Sequence, residues 1–314
     1  MLAAVLPGND IVVRSCLSGT AVAGRPSGSG RGAGAGLEAL MDATAGRAEI
    51  IIALIDGPVA VEHPDFQREN MRYLDERVDI ECHPRASACI HGTFVAGMLH
   101  ARRNASAPGL CPHCTLILNP IFRGTKPSSS PDVLASAIAA CVEAGARVIN
   151  LSADMPDSQM FAHRALQNAL DLASARDVII VAAAGNKPIL GSSLITRNRS
   201  VVPVVACDAK GAVLPSSNLG ASIGRRGLAA PGQDIVSLAP SGGQAKFSGS
   251  SAAAAFVTGT VALLWSTFPR AGTAIIRRAV LGDRRLRQAL VPPRLDAHAA
   301  YASLRAMHQG ARTA

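Results

Sequence analysis

From residue 50 onward the apolar positions take two alternating forms, short unbroken runs and longer segments at helical spacing. "AEIIIALIDG" carries an apolar run from Ile50 to Ile55 that an Asp-Gly pair ends, and "CTLILNPIF", "ARVINLSA", "DVIIVAAAGN" and "SVVPVVACDAKG" have the same form. Runs without polar alternation predict strands buried on both faces. Between them, "PDVLASAIAACVEAG" opens on Pro131 and Asp132, keeps apolar residues at helical spacing and stops at Gly145, and "FAHRALQNALDLASAR" repeats the spacing. Both predict helices. The alternation predicts an α/β domain with a mostly parallel sheet, helices on both faces and right-handed crossovers. "GLAAPGQDIVSLAPSGGQAKFSGS" breaks the rhythm with short strands and turns; "SSAAAAFVTGTVALLW" then predicts a long apolar helix and "RLDAHAAYASLRAMHQ" a closing amphipathic one.

Residues 1–47 include a Gly-, Ser- and Ala-rich tract with little to bury, which predicts a flexible or partly ordered extension with a short helix at Leu37–Ala43. The domain itself is expected over 48–305, with a tail at 306–314. A 48% hydrophobic chain with only seven Phe, two Tyr and one Trp implies an aliphatic, closely packed core. The formal charge of +9 is concentrated late, since nine Arg but only two Asp follow Thr260. Such an excess attracts nucleic acid or an acidic peptide. Without aromatic interleaving or a nucleic-acid motif it reads as a solvated helical face, and no nucleic-acid partner is expected. The opening residues lack a basic region and a long apolar run, and no segment approaches the roughly 20 apolar residues of a membrane span. A soluble cytoplasmic protein with no membrane partner is the expectation, its oligomeric state open.

In a parallel sheet, functional polar residues sit just past the carboxyl ends of strands. Asp56 follows the first strand, His91 opens "HGTFVAGMLHARR", and Ser251 lies in "SGSSAAAAFVTG" at the start of the long helix. Taken singly these are a turn, a cap and another cap. Together they supply what a serine nucleophile requires: a base at hydrogen-bond distance and a carboxylate that orients the imidazole. Asn186, at the end of "VIIVAAAGN", is placed to donate to an oxyanion together with the Ser251 N–H. The position two after Ser251 is Ala253, so the G-x-S-x-G elbow of α/β-hydrolases is absent.

Asp-Gly, His-Gly-Thr, Ala-Ala-Gly-Asn and Gly-Ser-Ser in this order resemble the subtilisin-like serine peptidases over roughly Glu49 to Leu304. The resemblance implies a three-layer α/β subtilisin-like fold around a central, mostly parallel sheet of about seven strands. It implies a triad of Asp56, His91 and Ser251, with Asn186 as oxyanion donor, and peptide hydrolysis through an acyl-enzyme. It places the substrate strand along Ser152, Ala153 and Asp154. Ser152 would bind its main chain, and Asp154 would either select a basic or polar side chain or simply face solvent. Within the family, "IALIDGPVAVEHPDF", "CIHGTFVAGMLHAR" and "PGLCPHCTLILNPIF" are most similar to the cyanobactin maturation proteases, which act on ribosomally made precursor peptides. A precursor peptide is thus the expected partner; a macrocyclase, a broad-specificity protease and a non-catalytic precursor-binding protein are the alternatives. Ser250 stands where the family usually has Thr, and Ala255 where it usually has Pro. Macrocyclising relatives carry a helical insertion between Asp and His. The segment between Asp56 and His91 has no room for a long helical pair, which favours hydrolysis.

The cysteines leave two readings. Cys82, His83, Cys89, Cys111, His113 and Cys114 could supply a zinc site, but the second cysteine pair is too widely spaced for a tight knuckle, and neither a metal nor a cofactor is expected. The resemblance instead implies disulfides joining Cys82 or Cys89 to Cys111 or Cys114. Cys141 and Cys207 fall in apolar runs and read as packed thiols.

Overall fold

The computed structural model describes residues 33–75, 81–122, 129–152, 163–282 and 289–313. The strands are β1 (Ile51–Asp56), β2 (Met71–Tyr73), β3 (Thr115–Pro120), β4 (Val148–Leu151), β5 (Ile179–Ala183), β6 (Val201–Cys207), β7 (Leu228–Pro231), β8 (Ile235–Leu238) and β9 (Gln244–Phe247). The helices are α1 (Ala33–Ala43), α2 (Ser87–His100), α3 (Pro131–Glu143), α4 (Arg164–Ala175), α5 (Leu194–Arg197), α6 (Ala221–Arg226), α7 (Ser250–Thr267), α8 (Thr273–Leu281) and α9 (Ala297–Thr313). Seven strands form one sheet in the order β2-β3-β1-β4-β5-β6-β7, every described pairing in it parallel, while β8 and β9 form a separate antiparallel pair.

Successive residues of a strand point to opposite faces, and here both faces are covered. Ile52 and Leu54 of β1 enter a core with Phe94 and Leu99 of α2 and Val257, Leu263 and Trp265 of α7. Their neighbours Ala53 and Ile55 enter a second core with Leu134 and Ile138 of α3 and Leu166 and Leu170 of α4. This is why the strands read as continuous apolar runs. Ser130 caps α3 by accepting the Val133 N–H, with Pro131 in the first turn.

The alanine run of α7 is packing. Ala252 to Ala255 are buried, and short side chains let the helix lie close beneath the sheet. Against the expectation that no segment approaches a membrane span, its 18 residues have the length and apolarity of one, but 89% of that span is inside the protein. Ala255 continues the regular helix without the clash a proline would impose. The helix expected at Leu37–Ala43 is present, and Leu37 and Leu40 are fully buried in the α7 core. Helix α9 continues to Thr313, through most of the segment set apart as a tail. The short strand β2 and helix α8 were not expected, because neither carries a long periodic signal.

The cysteine pairing corrects the expectation. The disulfide joins Cys82 to Cys89, and Cys111 and Cys114 are buried free thiols. Cys89 lies in the first turn of α2, whereas the Cys111 N–H donates to Leu99 O at the other end. Ten residues of helix span about 15 Å, far beyond the ~7 Å that a disulfide bridges. Cys141 and Cys207 are buried free thiols, both pushed up to about 11 chiefly by burial. No group of three or more potential metal ligands occurs among the described residues.

Candidate active site

Strand β1 ends on Asp56, which is fully buried. One carboxylate oxygen, Oδ1, takes the Gly57 N–H at 2.6 Å and lies 2.7 Å from His91 Nδ1. This contact forces an intimate approach of α2 to the end of β1. A Cβ on Gly57 would fall 2.0 Å from Ala88 O, so glycine is required where the helix crosses the loop. The loop beyond is clamped twice: Ala60 N–H donates to Thr93 Oγ1 at 2.9 Å, and the Tyr73 hydroxyl donates to Val59 O at 2.9 Å. Burial raises the Tyr73 pKa against the opposing hydrogen bond to Val59.

Burial opposes the charged form of His91, yet the field of Asp56 and its hydrogen bond outweigh it and hold the imidazole above its ordinary 6.5. Its ring meets Phe247 edge-on, centroids 6.3 Å apart, and Phe247 also packs on Phe94 at 4.8 Å. Phe247 ends β9, and three residues later α7 begins.

Ser251 is the second residue of α7 and is partly exposed. The turn into the helix is set by Gly249, whose φ of 154° disfavours a side chain and whose added Cβ would lie 3.0 Å from Asn186 Nδ2. Ser250, fully buried, ties this turn to the end of β5: its N–H donates to Asn186 Oδ1 at 2.8 Å, and its Oγ accepts the Gly185 N–H at 3.2 Å. Here the hydroxyl kept at the usual Thr position is in use. Asn186 itself is exposed, and with Oδ1 engaged its Nδ2 hydrogens remain to face a ligand. Asn218, not singled out from the sequence, supports the same loop, its Oδ1 accepting the Lys187 N–H at 2.9 Å and the Ile189 N–H at 3.3 Å.

Ser152 follows β4 with its side chain turned inward. Its Oγ accepts from Asn150 Nδ2 at 2.9 Å, and Asn150 Oδ1 accepts from Thr258 Oγ1 of α7 at 2.8 Å. The network couples β4 to the helix that carries Ser251. Ala153 and Asp154 lie outside the described residues. Asp56 and His91 are thus in direct contact, and Asn186 is joined to Ser250, the residue before Ser251, at the mouth of α7; no hydrogen bond between Ser251 and His91 occurs among the described residues.

A family profile described as Subtilase family, Peptidase_S8, matches residues 47–293. Subtilisin amylosacchariticus of Bacillus subtilis subsp. amylosacchariticus is 31% identical over 231 residues, covering 72% of this chain and 58% of that protein. The chain therefore spans little more than half the length of such curated relatives. Among solved structures, the protease domain of PatA superposes with a TM-score of 0.77 at 31% identity, covering 83% of this chain and 97% of that one. The prenylagaramide maturation protease PagA gives 0.75 at 28% identity, covering 86% and 98%.

Proposed function

The chain belongs to the subtilase family, and from that premise we propose that it is a serine endopeptidase that cleaves a ribosomally made precursor peptide. Ser251 Oγ attacks the scissile carbonyl carbon as His91 takes the hydroxyl proton. The tetrahedral oxyanion is held by Asn186 Nδ2 and the Ser251 N–H, at the positive end of the α7 dipole. Collapse expels the amine, which receives the proton from His91, and leaves the acyl-enzyme. Water, deprotonated by the same imidazole, completes hydrolysis. Asp56 keeps Nδ1–H of His91 directed toward itself, so that Nε2 is the basic nitrogen.

The observation that carries this reading is the 2.7 Å contact between buried Asp56 and His91 on a partly exposed helix end. The maturation role is supported by likeness to PatA and to the prenylagaramide maturation protease. Hydrolysis is preferred over ring closure because the described residues between β1 and α2 hold a three-residue 3-10 turn and β2 but no α-helix to cover an acyl-enzyme. The substrate strand is assigned to Ser152, Ala153 and Asp154, with no metal or cofactor in the chemistry and a cytoplasmic location.

A serine-directed fluorophosphonate tests the reading: it should label the wild-type protein and leave Ser251→Ala unlabelled. Equal labelling of both would remove Ser251 from the mechanism. Incubation with a synthetic precursor-like peptide should give linear fragments; a product lighter than its linear fragment by one water would establish cyclisation instead.

A further inference from the structure

His91 lies in the second turn of α2, close to an N-terminal end that has no side-chain cap. Its cap residue, Ala86, offers no side-chain hydrogen bond, and no acidic residue stands in the first turn. Uncapped helix ends fray, because their first N–H groups lack partners. Beside the buried Ala88, a covalent bond fastens this end: Cys89, two residues before His91 and 1% exposed, is bonded to Cys82 in the preceding, mostly exposed turn. The Cys82 sulfur also lies 3.9 Å from Thr93 Oγ1, the atom that accepts the Ala60 N–H from the loop following Asp56. The helix of the base and the loop of its carboxylate therefore meet at one sulfur pair.

Resting on the peptidase reading above, we propose that the Cys82–Cys89 disulfide is a positioning element for His91, and that opening it by thiol–disulfide exchange slows the enzyme. A dithiol reductant attacks the accessible Cys82 sulfur, Cys89 leaves as a thiolate and is protonated, and the second thiol of the reductant displaces Cys82 from the mixed disulfide. The protein gains two electrons and two protons and the reductant becomes a cyclic disulfide. The freed turn no longer presses α2 against Asp56. Cytoplasmic thiol pools keep most cysteines reduced, so in the location proposed above the slower, reduced form is the resting one and a more oxidising environment raises activity. Cys111 and Cys114, already thiols in the core, take no part.

Among the described residues, Asp56 is the one charged group acting on His91, and Phe247, facing it from β9, does not titrate. With the ring still covered by Phe247, so that burial is kept, a weaker Asp56 contact lowers the His91 pKa. The test follows the His91 imidazole by NMR titration, and the fluorophosphonate labelling rate at pH 7, with dithiothreitol present and absent. Mass analysis verifies that two hydrogens have been gained. Reduction should lower the imidazole pKa and slow labelling about tenfold, the scale of a sub-ångström misplacement. Cys82→Ser/Cys89→Ser should behave as the reduced protein and ignore the reductant; if it folds poorly, Cys82→Ser alone keeps Cys89 packed and should do the same. An unchanged imidazole pKa and labelling rate in fully reduced protein would overturn the proposal. Absence of labelling in every state would instead defeat the peptidase reading, and the imidazole titration would still decide the positioning role.

Discussion

Ser250 and Asn186 are locked together: the backbone N–H of Ser250 donates to Asn186 Oδ1 at 2.8 Å, while the Ser250 hydroxyl takes the N–H of Gly185. The amide of Asn186 is thereby fixed with its nitrogen as the free end. Asn186→Ala should lower kcat by about 10²–10³ with KM little changed, the signature of a donor used only in the transition state. Asn186→Asp retains the acceptor for Ser250 and loses the donor, so it should be as slow as the alanine variant in steady-state peptide cleavage. Recovery of activity in the Asp variant would assign Asn186 a structural role.

His91 acts as a base only when neutral, and Asp56 holds its pKa above 6.5. Activity should accordingly rise with pH along a limb centred above that value. Asp56→Asn removes both influences that raise the pKa and leaves burial, which lowers it. The limb should move to lower pH while kcat falls about 10⁴-fold. A pH profile of kcat/KM for both proteins checks the two effects independently.

His100, at the end of α2, is fully buried; burial, the largest influence, takes its pKa down to about 4, although its Nε2 hydrogen bond to Gln67 O at 2.8 Å works the other way. A histidine depressed on folding binds its proton more weakly in the native state than in the unfolded one. Its contribution is intact above about 6.5 and is lost progressively as pH falls from there to about 4, in total roughly 3 kcal/mol. Urea melts between pH 7 and 4 should show this decline, and His100→Gln should flatten it.

Thr258 and Asn150 are both fully buried and joined at 2.8 Å, with Asn150 in turn holding Ser152. Thr258→Val keeps the shape and strands the amide oxygen. The expected loss is about 1–3 kcal/mol of stability, measured by chemical denaturation. Fluorophosphonate labelling should also slow, because the network is what ties the β4 end to the helix of Ser251.

Apolar runs and helical spacing are local properties, so the strands and the main helices were legible in the chain, as was the parallel sheet that their alternation demands. The order of motifs named the family, since Asp56, Asn186 and Ser251 fall at or just past element boundaries; His91, read as opening its helix, lies instead in the second turn of α2, which begins at Ser87. The partners of those residues were not legible. That Ser250 serves Asn186, that Asn218 supports the same loop, and that Thr93 clamps the chain beyond Asp56 are contacts across 64, 31 and 33 residues of separation. Cysteine pairing was misjudged for the same reason: Cys89 and Cys111 are close to the same helix, but at its opposite ends. Periodicity reports which face of an element is buried, whereas distance between two side chains depends on how whole elements pack. Residue types and their order thus determined the chemistry available to this protein, and only the packing of α2 and α7 against the sheet decided which atoms meet.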